Sequence, residues 1–229
     1  MNATKLCAFD FADTLAELQP PRQNIVTHHI RQVSGIAISA DHILRCYKLV
    51  DNMIRYSSVH TRTSKKRKEY YLEYNRCLLE LLGVLHLVRP EGLFAAFGEH
   101  EKHWQLKKGV CETLVELRHR GYHIAILSNF DSCLEQIVRE RLGLDKQIDY
   151  LHISQNLGIE KPDVQFYRLF FEKHNLAIKN TVYLGDNYSL DYQPAVEIGI
   201  NTWLLDETGL YAHCPNTLRN VKELLNQIN

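Results

Sequence analysis

Leu6-Cys7-Ala8-Phe9-Asp10-Phe11-Ala12-Asp13-Thr14-Leu15 is an apolar run of strand length that ends in a carboxylate and then in short polar side chains. An α/β protein delivers an acidic group to the carboxyl edge of a parallel sheet in this way, and ligands bind at that edge. Asp10 is therefore a candidate nucleophile. Taken alone, the same residues would serve equally well to cap a turn.

Working outward, the chain from Lys108 onward alternates between strand and helix patterns. Val110–Leu117 reads as a helix, Tyr122–Leu127 as a buried strand, Leu134–Arg141 as a helix and Tyr150–Ile153 as a strand. Phe166–His174 reads as a helix, Thr181–Leu184 as a strand, Ala195–Ile198 as a helix closed by Gly199, and Thr202–Leu205 as a strand. This is the pattern of a Rossmann-like, doubly wound parallel α/β sheet.

Between the first strand and that alternation the rhythm is helical. Pro20 and Pro21 punctuate the exit, and Ile25, Ile30 and Val33 then recur at helical spacing. Ser39 or Asp41 opens a second helix through Ile43, Leu44, Tyr47 and Val50, and Lys68–Gly83 carries a third apolar stripe. The expected division is a core domain of residues 1–16 and 105–229 and an inserted helical domain of residues 17–104. Lys65-Lys66-Arg67-Lys68, followed by Tyr70 and Tyr71, reads as a solvated face with inward tyrosines more readily than as an anion-binding patch.

Composition narrows the function classes. A chain with 45% apolar and 24% charged residues is an ordinary globular protein, and 27 Lys and Arg against 27 Asp and Glu leave no global field to attract nucleic acid or an anionic membrane. The six cysteines are scattered, without a C-x-x-C pair, and read as reduced thiols. No apolar signal segment or membrane-length run is present, so a cytoplasmic location is the expectation. His28 with His29, and His100 with His103, form no helical metal pair with a third ligand, so zinc is not expected.

The chemistry lies in Asp10, Ser128, Lys161, Asp186 and Asp191. Carboxylates meeting at one sheet edge repel unless a hard cation sits among them, and such oxygen-rich sets suit Mg²⁺. Ser128-Asn129 offers a hydroxyl and backbone N–H groups to anionic oxygens, while Lys161 offers a point charge that holds phosphate and tempers the carboxylates. The combination reads as phosphoryl transfer.

F-D-F-A-D-T-L (Phe9–Leu15), L-S-N (Leu127–Asn129), the lysine of E-K-P-D (Glu160–Asp163) and G-D-N-Y-S-L-D (Gly185–Asp191) resemble, in order, the four motifs of the haloacid dehalogenase superfamily. The resemblance covers nearly the whole chain, with the helical insert in the position of that family's small cap. It implies in-line attack by Asp10 on a phosphoryl group, an aspartyl phosphate, and its hydrolysis by water. It further implies Mg²⁺ held by the Asp10 side chain, the backbone carbonyl of Ala12 and Asp186, with Asp191 in support. Thr14, Ser128, Asn129 and Lys161 are the implied phosphoryl-binding residues. The implied substrate is a phosphorylated small molecule or a phosphoprotein.

One position departs from that pattern. The family's phosphatases usually carry a second aspartate two residues beyond the nucleophile, where it protonates the leaving group and activates water; here the residue is Ala12. Loss of a positioned acid and base costs on the order of 10²–10⁴ in rate. Four readings stay open: an alteration of an ordinary F-D-F-D-D-T-L motif, a proton donor from the insert, a leaving group that needs little help such as an aryl or acyl phosphate, or a phospho-ligand-binding protein without turnover. Phosphonatases of the superfamily also have alanine there but use a cap lysine, and Lys48, Lys65, Lys66 and Lys68 carry no mark of a depressed pKa. Dehalogenation needs no Mg²⁺ and leaves the acidic Gly185–Asp191 motif without a purpose.

Overall fold

In the computed structural model, residues 4–54, 64–99 and 103–228 are described. They fall into two compact units, Met1–Glu17 with Trp104–Asn229, and Leu18–His103.

The first unit is built on a six-stranded sheet: β1 (Lys5–Phe9), β4 (Tyr122–Ser128), β5 (Tyr150–Ile153), β6 (Thr181–Gly185), β7 (Asn201–Leu205) and β8 (Thr217–Leu218). Its strand order is β5-β4-β1-β6-β7-β8, and the neighbouring pairs are parallel. β1 runs between β4 and β6, with Ala8 opposite both Ala125 and Tyr183. Alternation along β1 explains its unbroken apolar run. Cys7 and Phe9 join Ile124, Ile126, Val182 and Leu184 in one core, whereas Leu6 and Ala8 join Ala125, Leu127, Tyr183, Phe166 and Phe170 in another. A strand covered on both faces has no room for a polar alternate residue. Each fully buried leucine or phenylalanine contributes about 1.5–3 kcal/mol of transfer free energy.

Helices α5 (Val110–His119), α6 (Cys133–Gln136), α7 (Ser154–Leu157), α8 (Val164–His174) and α9 (Gln193–Glu197) link the strands. The helix expected over Leu134–Arg141 is present, as α6 continuing into a π-helix over Ile137–Arg141, where the Leu142 N–H reaches the Ile137 carbonyl. A second π-turn, Tyr188–Tyr192, precedes α9.

The helical pattern after Leu15 is interrupted at both ends by strands that periodicity did not reveal. β2 (Ala16–Gln19) pairs with β3 (His103–Leu106) in a two-stranded sheet. Between them lie α1 (Arg22–Ser34), α2 (Ala40–Met53), α3 (Ser64–Leu81) and α4 (Pro90–Glu99). Gly35, at φ +74°, ends α1 by giving its N–H to the Arg31 carbonyl. Ser39, not Asp41, caps α2 by accepting the His42 N–H. The buried face of α1 is Ile25, Val26 and Ile30, whereas Val33 in its last turn is 53% exposed.

Lys65–Lys68 are exposed, and Tyr70 is half-buried, but Tyr71 is 39% exposed with its ring edge-on to Tyr70, so only one of the two tyrosines turns inward. Lys48 is buried. His100 lies outside the described residues. Among the described residues no helix is long and apolar enough to cross a membrane.

Candidate active site

Three adjacent strand ends deliver three of the expected residues. Asp10 follows β1, Ser128 ends β4 and Asp186 follows β6. The Asp10 N–H donates to the Leu184 carbonyl at 2.9 Å, which carries the β1–β6 register one residue beyond the last strand position. The remaining residues arrive on loops. Lys161 lies on the segment between α7 and α8, and Asp191 on the π-turn whose start is capped by Asn187.

Lys161 is the hub of the cluster. Its Nζ lies 2.6 Å from Asp10 Oδ1, 2.6 Å from Asp191 Oδ1 and 3.4 Å from the Tyr183 hydroxyl. Ser128 Oγ donates to Asp10 Oδ1 at 3.3 Å, and Thr14 Oγ1 donates to Asp186 Oδ1 at 3.3 Å. Oxygens of Asp10, Asp186 and Asp191 lie within 4.8 Å of one another, and all three residues are buried. The Oδ2 of Asp10 accepts no hydrogen bond among the described residues, so one carboxylate oxygen is held and the other keeps its lone pairs.

Asp191 is committed more fully. Its Oδ1 accepts from Lys161 and, at 2.8 Å, from the Tyr183 hydroxyl; its Oδ2 accepts the Asn187 N–H at 3.0 Å. Gly185 makes this possible, since a Cβ there would lie 2.4 Å from the Asp191 Cβ. Asn129 is also occupied. Its amide donates to the Lys161 carbonyl at 2.9 Å and its oxygen accepts the Lys161 N–H at 2.8 Å. Ala12 is half-buried in the turn after Asp10 and forms an isolated bridge with Ala16.

Two residues at the site were not singled out from sequence. Tyr183 reads as core in an apolar strand, yet its hydroxyl supports the Lys161–Asp191 pair. Lys107 donates from Nζ to the Asp13 carbonyl at 2.8 Å and pairs with Glu207 at 2.6 Å, and so steadies a turn in which Asp13 adopts φ +60°. A positive φ at a non-glycine residue costs about 1–3 kcal/mol and persists only where neighbours over-determine it.

The electrostatics follow from burial. Desolvation, against the pull of Lys161 and with repulsion from Asp191 and Asp186, pushes Asp10 up to about 7. Lys161 is raised, because its two carboxylate partners outweigh the desolvation that opposes them. Burial and the adjacent Asp191 hold the Tyr183 hydroxyl well above its usual range. Three buried carboxylates cluster around one ammonium, which pairs with two of them, and an all-oxygen site with surplus negative charge fits a hard dication such as Mg²⁺. Asp10, Asp186 and Asp191 each bring a carboxylate oxygen to that cluster, and both oxygens of Asp191 are already hydrogen-bonded.

With this geometry in hand, comparisons with known proteins point one way. A model of the haloacid dehalogenase-like hydrolases matches residues 4–199. The human haloacid dehalogenase-like hydrolase domain-containing protein 3 is 30% identical over 213 residues, covering 88% of this chain and 81% of its own length. Ribulose-1,5-bisphosphate 5-phosphatase of Halopiger xanaduensis is 26% identical over 206 residues, covering 86% and 83%. Among solved structures, the HAD-hydrolase YfnB of Bacillus subtilis, bound to magnesium, superposes with a TM-score of 0.64 at 17% identity, covering 99% of each chain.

Proposed function

Because this chain belongs to the haloacid dehalogenase-like hydrolases, we propose that it is a Mg²⁺-dependent phosphatase with Asp10 as nucleophile. The observation that carries the reading is the Lys161-centred cluster. One oxygen of Asp10 is fixed by Lys161 and Ser128, which leaves its other oxygen oriented for attack on phosphorus. Positioned hydroxyls and an ammonium beside that oxygen suit the charge that develops on the transferring phosphoryl group. Thr14, Ser128 and Lys161 fill that role.

Asp10, Asp186 and the carbonyl of Ala12 are the groups that would hold Mg²⁺, which when bound supplies charge neutralisation for the incoming anion. Asp191 and Asn129 act one step back: Asp191 orients the Lys161 ammonium and Asn129 orients its backbone. The unit Leu18–His103 serves as the cap domain. Given the similarity to a sugar-bisphosphate phosphatase, the substrate is a small phosphorylated metabolite. Six unpaired cysteines accord with a reducing, cytoplasmic setting.

The test is hydrolysis of 4-nitrophenyl phosphate with and without Mg²⁺, comparing this chain with Asp10→Asn. Phosphate release that depends on both Mg²⁺ and Asp10 supports the reading. Release that survives Asp10→Asn removes it.

A further inference from the structure

The described groups around Asp10 are well supplied for accepting a phosphoryl group and poorly supplied for moving protons. The three N–H bonds of the Lys161 ammonium face Asp10, Asp191 and the Tyr183 hydroxyl. That tyrosine spends its own proton on Asp191. Both oxygens of Asp191 are engaged, and Ser128 and Thr14 bring alcohol hydroxyls, which neither donate nor accept protons readily near neutral pH. Ala12, two residues past Asp10 on the same turn, brings a methyl group.

From this imbalance we infer that Asp10 accepts phosphoryl groups from donors whose leaving oxygen needs no proton, acyl phosphates above all, and that the resulting phospho-aspartate persists because none of the described groups around it is placed to activate water. The inference rests on the phosphatase reading above. In the first step a lone pair of the Asp10 carboxylate forms the new O–P bond. The P–O bond to the donor's acyl oxygen breaks, and its electron pair leaves on a carboxylate whose conjugate acid has a pKa of about 4. No proton is required. An aryl phosphate expels a phenolate of pKa about 10, and an alkyl phosphate must expel an alkoxide about as basic as hydroxide, near 16, so reactivity falls in that order. In the second step water must lose a proton as it attacks phosphorus; with Asp186 assigned to the ion, none of the other described groups around Asp10 is placed to take it.

The experiment uses the full chain with Mg²⁺ and acetyl phosphate as probe. Intact mass is followed over time, beside phosphate release from acetyl, 4-nitrophenyl and ethyl phosphates. Ala12→Asp, Ala12→Asn and Asp10→Asn are run in parallel, with circular dichroism to confirm folding. The expected result is a single phosphoryl adduct on Asp10 that outlasts donor removal and forms at rates ordered acetyl, aryl, ethyl. Ala12→Asp should shed the adduct and raise release from ethyl phosphate by about 10²–10⁴. Ala12→Asn matches aspartate in size without its proton chemistry, and should reproduce neither the shedding nor the gain.

Rapid release without adduct from the unaltered chain overturns the inference while leaving the phosphatase reading intact. Equal acceleration by Ala12→Asn overturns it as well, since the gain is then one of shape. If the chain and Ala12→Asp both fold yet show neither adduct nor release, the phosphatase reading itself fails.

Discussion

Asn129 grips the backbone of Lys161 from both sides, donating to its carbonyl at 2.9 Å and accepting its N–H at 2.8 Å across 32 residues of sequence. The side chain of Lys161 then has a fixed origin from which to meet Asp10 and Asp191. Asn129→Ala removes both bonds and leaves two backbone groups to find new partners. Each lost bond of this kind costs about 1–3 kcal/mol. Melting temperature should fall, and kcat/KM on an activated phosphate should drop by roughly 10–100-fold. A variant with unchanged kinetics would show that Lys161 is positioned without Asn129.

Gly185 meets Asp191 more closely than any side chain allows. Gly185→Ala must push the Tyr188–Tyr192 turn away from the strand end, at about 1–3 kcal/mol of overpacking. Urea denaturation should show that loss, and turnover should fall with it because Asp191 no longer reaches Lys161.

Lys161→Met keeps length and volume but strands Asp10 and Asp191 without their shared cation. Breaking a buried pair from one side costs about 3–5 kcal/mol. Asp10, already raised by burial, sheds its share of this penalty by binding a proton. The deficit relative to the parent chain should therefore be largest at pH 8 and narrow toward pH 5, as read from urea unfolding at the two pH values.

His152 supplies a separate pH dependence, away from the site. Its Nε2–H donates to the Phe166 carbonyl at 2.8 Å, with its ring packed on Phe166 and Phe170. Burial, opposed by that bond and aided by Lys173 and His174, lowers it from 6.5 to about 4. Between those values the unfolded chain binds a proton that the folded chain refuses. Stability is thus fully present above pH 6.5 and declines as pH falls toward 4, by up to about 3 kcal/mol. His152→Gln, which keeps a donor but does not titrate, should flatten that slope; an unchanged slope would assign it to other groups.

How far these features could be read from sequence depended on distance along the chain. β1, β4 and β6 declare themselves because strands buried on both faces are apolar throughout, and Asp10, Ser128 and Asp186 stand out where those runs stop. β2 and β3 do not, since Ala16–Gln19 acquires strand geometry only from His103–Leu106, far along the chain, and four residues carry too little alternation to show it. Val33 misled for a related reason, as helical spacing names a stripe but not its edge. Asn129 was visible as a polar residue beside Ser128, but its partner is a backbone, which leaves no trace in residue type. Tyr183 was hidden by its ring, which packs as core while its hydroxyl takes part in the site.

The pairing of β2 with β3 has a topological consequence. The chain leaves the sheet unit and re-enters it through one narrow ribbon, so the whole excursion from Leu18 to His103 begins and ends at a single doorway. The order of the six strands is indifferent to what lies beyond that doorway. Insertions, exchanges and wholesale replacement there leave the path of the core chain unaltered, so the part of the protein free to diversify is segregated by connectivity from the part that holds Asp10.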